Sequence, residues 1–158
     1  MKALSLTQPW ATLVAIGAKR IETRSWQTKY RGPLAIHAAK GWPVRNEMLC
    51  RAEPFRSAFL SRGEVAYAQG ATFPKGYIIA VVELVDCVSI PCRRWGMVDD
   101  THAGVLFDVP PLEPELSFGD YTPGRYAWVL RNPRLLATPI PCKGRLGLFE
   151  VNHESLLV

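Results

Sequence analysis

Gly17-Ala18-Lys19-Arg20-Ile21-Glu22-Thr23-Arg24-Ser25-Trp26 is the segment from which the architecture follows. Before it, Thr7-Gln8-Pro9 reads as a helix start, since Thr7 or Gln8 can cap and proline suits a first turn where its missing N–H has no partner. Trp10, Leu13 and Val14 then share a helical face, and Gly17 is the natural stop. From Arg20 the pattern alternates. That predicts a strand with Ile21, Thr23 and Ser25 on one face and Arg20, Glu22, Arg24 and Trp26 on the other. Glu22 and Arg24, two residues apart on a strand, lie about 7 Å from each other, and Lys19 at the turn leans over the same surface.

Working outward, Ala3 to Leu6 is a short apolar strand, Arg31-Gly32-Pro33 a turn, and Leu34 to Ala39 the next strand, carrying His37. Trp42-Pro43 opens a helical stretch to Arg62 that Pro54 must break, which predicts two short helices. Gly76 to Ile90, dense in Val, Ile, Leu and Tyr, is the strongest strand signal. Residues 91–120, with four prolines, read as a long irregular acidic excursion. Arg125 to Leu130 is a further strand, Asn132-Pro133 a turn, and Arg145 to Val151 a closing strand. Strands that do not alternate strictly with helices indicate an α+β domain, a small mixed β-barrel with helices packed over its openings. The whole chain, 1–158, reads as a single domain.

With 48% hydrophobic residues the chain supports a packed core, and no apolar run approaches the roughly 18 residues of a membrane span. No membrane partner is expected. The first residues lack the apolar region of a signal peptide, and four widely spaced cysteines suit a reducing cytoplasm better than a disulfide scaffold. Cys87 and Cys92 have zinc-like spacing but no second pair nearby, so no metal site is expected. No motif calls for a cofactor. The net charge is +5 but unevenly spread: residues 1–62 hold eleven Lys and Arg against three Glu. Between Val98 and Asp120 lie six carboxylates and no Lys or Arg. A basic first third favours an anionic partner, and the acidic 98–120 segment is the candidate contact for a protein partner.

The chemistry concentrates at Lys19, Glu22 and Arg24. Arginine can take a phosphate or carboxylate, glutamate can accept from a ring N–H or amine, and lysine can serve acid–base chemistry. The same three residues also make an ordinary surface ion network. Trp26, on the Glu22/Arg24 face, is the candidate stacking platform, while Trp10 and Trp42 are expected in the core. His37 is either a core histidine bonded to backbone or a wall of the cleft. Ser5, Ser25 and Ser89 lack the context of a nucleophile elbow.

Taken together, Ser5-Leu6-x-Gln8-Pro9-Trp10-Ala11, Gly17-x-Lys19-x-x-Glu22-x-Arg24-x-Trp26 and Gly32-Pro33-Leu34-Ala35-Ile36-His37-Ala38-Ala39 resemble the ASCH domain of the PUA-like superfamily. Asn132-Pro133-Arg134, Pro139-Ile140-Pro141-x-Lys143-Gly144 and Leu148-Phe149-Glu150-Val151 extend the resemblance to the C-terminal end. It implies a PUA-like β-barrel, a cleft between the first helix and the barrel lined by that signature, and a role with RNA. One bacterial branch deacetylates N4-acetylcytidine with a lysine in a G-x-K-x-x-T-x-R setting that aligns with Lys19; Glu22 stands where that branch has threonine. Another member is a single-strand ribonuclease, and eukaryotic relatives are coactivator or RNA-associated modules. Two principal readings stay open. The first is a module binding RNA or a modified nucleobase through Lys19, Glu22, Arg24, Trp26 and His37. The second is a hydrolase in which Lys19 and Glu22 are catalytic.

Overall fold

A computed structural model of the chain describes residues 1–69, 71–90 and 113–152. The element order is β1 (Lys2–Leu6), α1 (Trp10–Ala15), β2 (Ile21–Arg24), β3 (Gly32–Ala38), α2 (Val44–Arg51), α3 (Phe55–Leu60), α4 (Val65–Ala68), β4 (Tyr77–Ser89), β5 (Tyr126–Pro141) and β6 (Leu148–Glu150). A 3-10 turn, Leu116–Phe118, precedes β5. The strands form one six-stranded sheet in the order β2-β5-β4-β3-β1-β6. It is antiparallel except for β1 on β3, and among the described residues β2 and β6 remain edges rather than closing a barrel.

The proline at 54 splits the helical stretch as the sequence predicts. The Asn132-Pro133 turn does not form: β5 runs unbroken through it as a bulge, with Glu83 opposite Arg131 and Val81 opposite Arg134. Two residues therefore face Val82 alone. Asn132 tolerates the left-handed backbone this needs (φ 49°), and its amide donates to Glu83 Oε2 at 2.9 Å. Pro133 lacks the N–H that a regular ladder would require. Its ring packs where a Cβ on Gly17 would come within 3.0 Å, so the glycine that ends α1 with φ +72° also admits the bulge.

Helix α1 has Pro9 rather than Thr7 or Gln8 as its N-cap residue, and Gln8, one position earlier, satisfies a first-turn donor instead: its side-chain oxygen accepts from the Thr12 backbone N–H at 3.1 Å and from the Thr12 hydroxyl at 2.9 Å. The helix lies across β1, β3, β4 and β5. Between them sit Leu4, Leu6, Val14, Leu34, Ile36, Val82 and Trp128, all buried. Each such aliphatic side chain is worth roughly 1.5–3 kcal/mol. On the outer side of α1, Leu13 joins Phe55, Phe59, Phe73 and Phe118 to pack α3, α4 and the 3-10 turn. The acidic excursion lies outside the described residues except for its end, 113–120. Cys92 is likewise outside; Cys50, Cys87 and Cys142 are free thiols.

Candidate functional site

The end of α1 sets the site. Gly17 turns the chain so that the Ala18 and Lys19 N–H groups both donate to the Leu13 carbonyl, at 2.9 and 3.0 Å. That turn sends Lys19 inward, beneath β2, where it is 1% exposed. Its ammonium donates to the Ile21 carbonyl and lies 3.5 Å from Glu22 Oε2 and 4.0 Å from Glu115 Oε1. Glu22 uses its other oxygen on Arg24, whose Nε is 3.1 Å away. Arg24 Nη2 donates to the Ser5 carbonyl at 2.9 Å. β1 and β2 lie toward opposite ends of the strand order, so this arginine spans the gap left by the curled sheet.

A cavity of about 440 Å³ opens at that gap. Leu6 at the end of β1, Thr7 after it, Trp10 of α1, Glu22 and Arg24 of β2, and Phe118 and Asp120 of the segment before β5 all line it. The last wall is held by Glu115, whose carboxylate accepts from the Arg20 and Ile21 N–H groups at 2.9 and 3.0 Å. Burial pushes the Glu115 carboxyl above its ordinary range, opposed first by the Lys19 charge and then by those two N–H groups. The Asp120 N–H donates to Thr23 Oγ1 at 2.9 Å. Burial, reinforced by the charges of Glu115 and Glu22, pushes the phenol of Tyr121 up as well.

The strand alternation places Glu22 and Arg24 on the cavity as expected. Lys19 lies behind them and does not line it, because the helix-ending turn points its stem into the protein. Trp26 is not in the cavity either. β2 ends at Arg24, so the alternation stops there, and Trp26 packs edge-on against Trp128 at 4.6 Å and 86° while its carbonyl accepts from Trp128 Nε1. The aromatic wall is instead Trp10, half-buried and edge-on to Phe55. Glu115, Phe118 and Asp120 were not legible as site residues: nothing local separates them from the other residues of a long acidic run.

His37 faces a second cavity, of about 800 Å³, together with Ser5, Lys40, Lys143, Gly144 and Arg145. It is 1% exposed. Nε2 lies 3.0 Å from the Cys142 carbonyl and must carry the proton it donates there, leaving Nδ1 to accept from the Ser5 hydroxyl at 3.0 Å. Burial lowers its pKa, against the opposing effect of the Cys142 bond. The reading of His37 as a backbone-bonded core histidine agrees with this placement, whereas its reading as a wall of the Glu22/Arg24 cleft does not: the register of β3 turns it toward this other cavity. Among the described residues no group of three His, Cys, Asp or Glu is placed to hold a metal, and no helix is long and apolar enough to cross a membrane.

An α+β domain built on a curled mixed sheet, with a polar cleft between its first helix and its edge strand, is the class that fold and site define. The family model of the ASCH domain matches residues 4–139, and the chain belongs to this family of the PUA-like superfamily. Human activating signal cointegrator 1 is 28% identical over 152 residues, which is 96% of this chain and 22% of that protein. The mouse protein of the same name is 39% identical over 152 residues, with the same shares. The chain therefore spans about a fifth of the curated relatives it matches.

Proposed function

We propose that this domain binds an unpaired nucleobase, of RNA or of a modified nucleoside, in the cavity beside Glu22 and Arg24. The carrying observation is the composition of that cavity. An aromatic ring, Trp10, stands beside a paired carboxylate and guanidinium in a volume of about 440 Å³. Rings take a base by stacking, worth about 1–3 kcal/mol per base. Glu22 accepts from an exocyclic amine or ring N–H, and the guanidinium of Arg24 donates to a carbonyl oxygen or phosphate. Lys19 contributes by holding Glu22 in place. The name cointegrator on the relatives agrees with a binding module, and the free thiols of Cys50, Cys87 and Cys142 suit a reducing cytoplasm.

The alternative is an amidohydrolase of N4-acetylcytidine type, and one observation favours it: Glu115 brings a second carboxylate to Lys19. Against it, the ammonium is enclosed and engaged by Ile21, Glu22 and Glu115 rather than exposed to the cavity. Calorimetric titration with cytidine, adenosine, N4-acetylcytidine and a short single-stranded RNA, with product analysis of each mixture, separates the readings. Saturable binding without products, weakened about tenfold or more in Trp10→Leu and Arg24→Gln, is the expected result. Acetate release would establish the hydrolase, and shortened RNA the ribonuclease. Binding that both variants leave unchanged would remove the cavity from consideration.

A further inference from the structure

We propose that the second cavity, on the far side of Ser5, binds the phosphodiester backbone of a single-stranded nucleic acid. That the strand's base enters the first cavity rests on the function proposed above; the backbone site itself rests on different residues. Lys40, Lys143 and Arg145 line this cavity, and among the described residues no carboxylate does. All three are exposed, and none makes an ion pair or a side-chain hydrogen bond among the described residues. The first cavity has the opposite character, with Glu22 and Asp120 against Arg24. Three uncompensated cations around about 800 Å³ suit a ligand with several separated negative charges, which a polynucleotide strand carries and a single small anion does not.

The cations are held in place. Gly144 sits directly on the His37 and Ser5 side chains: a Cβ there would lie 2.5 Å from His37 Cε1 and 2.9 Å from Ser5 Oγ. With His37 donating to the Cys142 carbonyl, the loop that carries Lys143 and Arg145 is pinned to β1 and β3. The stem of Lys40 crosses Gly76, where a Cβ would stand 2.8 Å from Lys40 Cε. Ser5 lines both cavities, so the two share one wall and a strand passes from one to the other over β1. An unpaired base in the first cavity requires a single strand, whose bases are free to turn outward.

The test titrates the wild-type protein, K40A/K143A/R145A and Arg24→Gln with an eight-nucleotide single-stranded RNA, its duplex, polyglutamate and cytidine, across 50 to 300 mM salt. Each phosphate contact contributes about 0.7 to the slope of log affinity against log salt for single strands, so the triple variant should lose about 2 of that slope. Its RNA affinity at low salt should fall about tenfold or more, with cytidine affinity unchanged. An equal thermal midpoint for the triple variant shows that the fold is intact, as expected for exposed side chains. An unchanged slope overturns the proposal. So does a duplex bound as tightly as the single strand, or polyglutamate competing as well as RNA, which would assign the cavity to an acidic protein. Failure of the first-cavity reading looks different: cytidine is not bound and Arg24→Gln has no effect, while the triple variant still flattens the slope.

Discussion

Replacing Lys19 with methionine keeps the length of the side chain and removes its charge, and the structure sets the consequence. The ammonium is 1% exposed and faces Glu22 Oε2 at 3.5 Å and Glu115 Oε1 at 4.0 Å. At an effective dielectric near 20, each attraction is about 4 kcal/mol before the desolvation of the three groups is subtracted. Removing one partner of such a buried set typically costs about 3–5 kcal/mol, because the carboxylates are left facing each other uncompensated. A domain of this size is stable by only about 5–15 kcal/mol, so the variant should lose about a fifth of that or more.

The assay is urea unfolding followed by tryptophan fluorescence at pH 7 and at pH 5.5, and the pH dependence has a definite sign. Glu115 already titrates above its ordinary range in the folded protein, and Lys19 is the largest influence holding it down. Without the ammonium its folded pKa rises further above the unfolded value near 4.5. The folded state then takes up the proton more readily than the unfolded state, and the charged form is penalised above that pKa. The deficit of the methionine variant should therefore shrink on going from pH 7 to pH 5.5. A loss under about 1 kcal/mol, or an equal loss at both pH values, would refute the view that Lys19 is a structural cation. It would also restore Lys19 as a candidate catalytic group, since such groups are often removed at little cost in stability.

Three further outcomes follow from the His37 region. Gly144→Ala should destabilise by about 1–3 kcal/mol in thermal or urea unfolding, because its Cβ would lie 2.5 Å from the His37 ring; unchanged stability would refute the packing described. The same variant should weaken RNA binding without touching cytidine, by lifting Lys143 and Arg145. His37 has a folded pKa depressed below its ordinary 6.5, so the unfolded chain takes the proton first. Its contribution to stability should be full above about pH 6.5 and decline as pH falls below that value. The stability difference between wild type and His37→Asn should accordingly narrow from pH 7 to pH 5, and a constant difference would contradict this.

Much of the fold was legible because local rules and tertiary packing agree there. The 54 break, the helix start at the Gln8-Pro9 step, the stop at Gly17 and the alternation from Ile21 to Arg24 all appear as read. The misreadings occur where a long-range partner overrides the local signal. Asn132-Pro133 is strong turn chemistry, yet β4 continues on the other side and turns it into a bulge. Trp26 continues the alternation in the sequence, but Trp128 claims its ring. Glu115 lies 94 or more positions from Ile21, Arg20 and Lys19, which it contacts, and only the folded chain brings them together.

The spacing Gly17-x-Lys19-x-x-Glu22-x-Arg24 now has a physical account, and it bears on function. The glycine turn buries the lysine, the strand returns the glutamate over it, and the arginine two residues on reaches across to β1. Glu22 is the link, with one oxygen toward each cation. A threonine at this place, as in the deacetylating branch, is too short and carries no charge with which to bridge two cations. Its lysine would lack this partner and be freer to act on a substrate. The carboxylate here converts the lysine into a support for the Glu22–Arg24 pair, and a fixed acceptor beside a fixed donor is what recognition of a base edge demands. The Glu22 bridge thus supports the proposed recognition of a base, and product analysis of the nucleoside mixtures tests it.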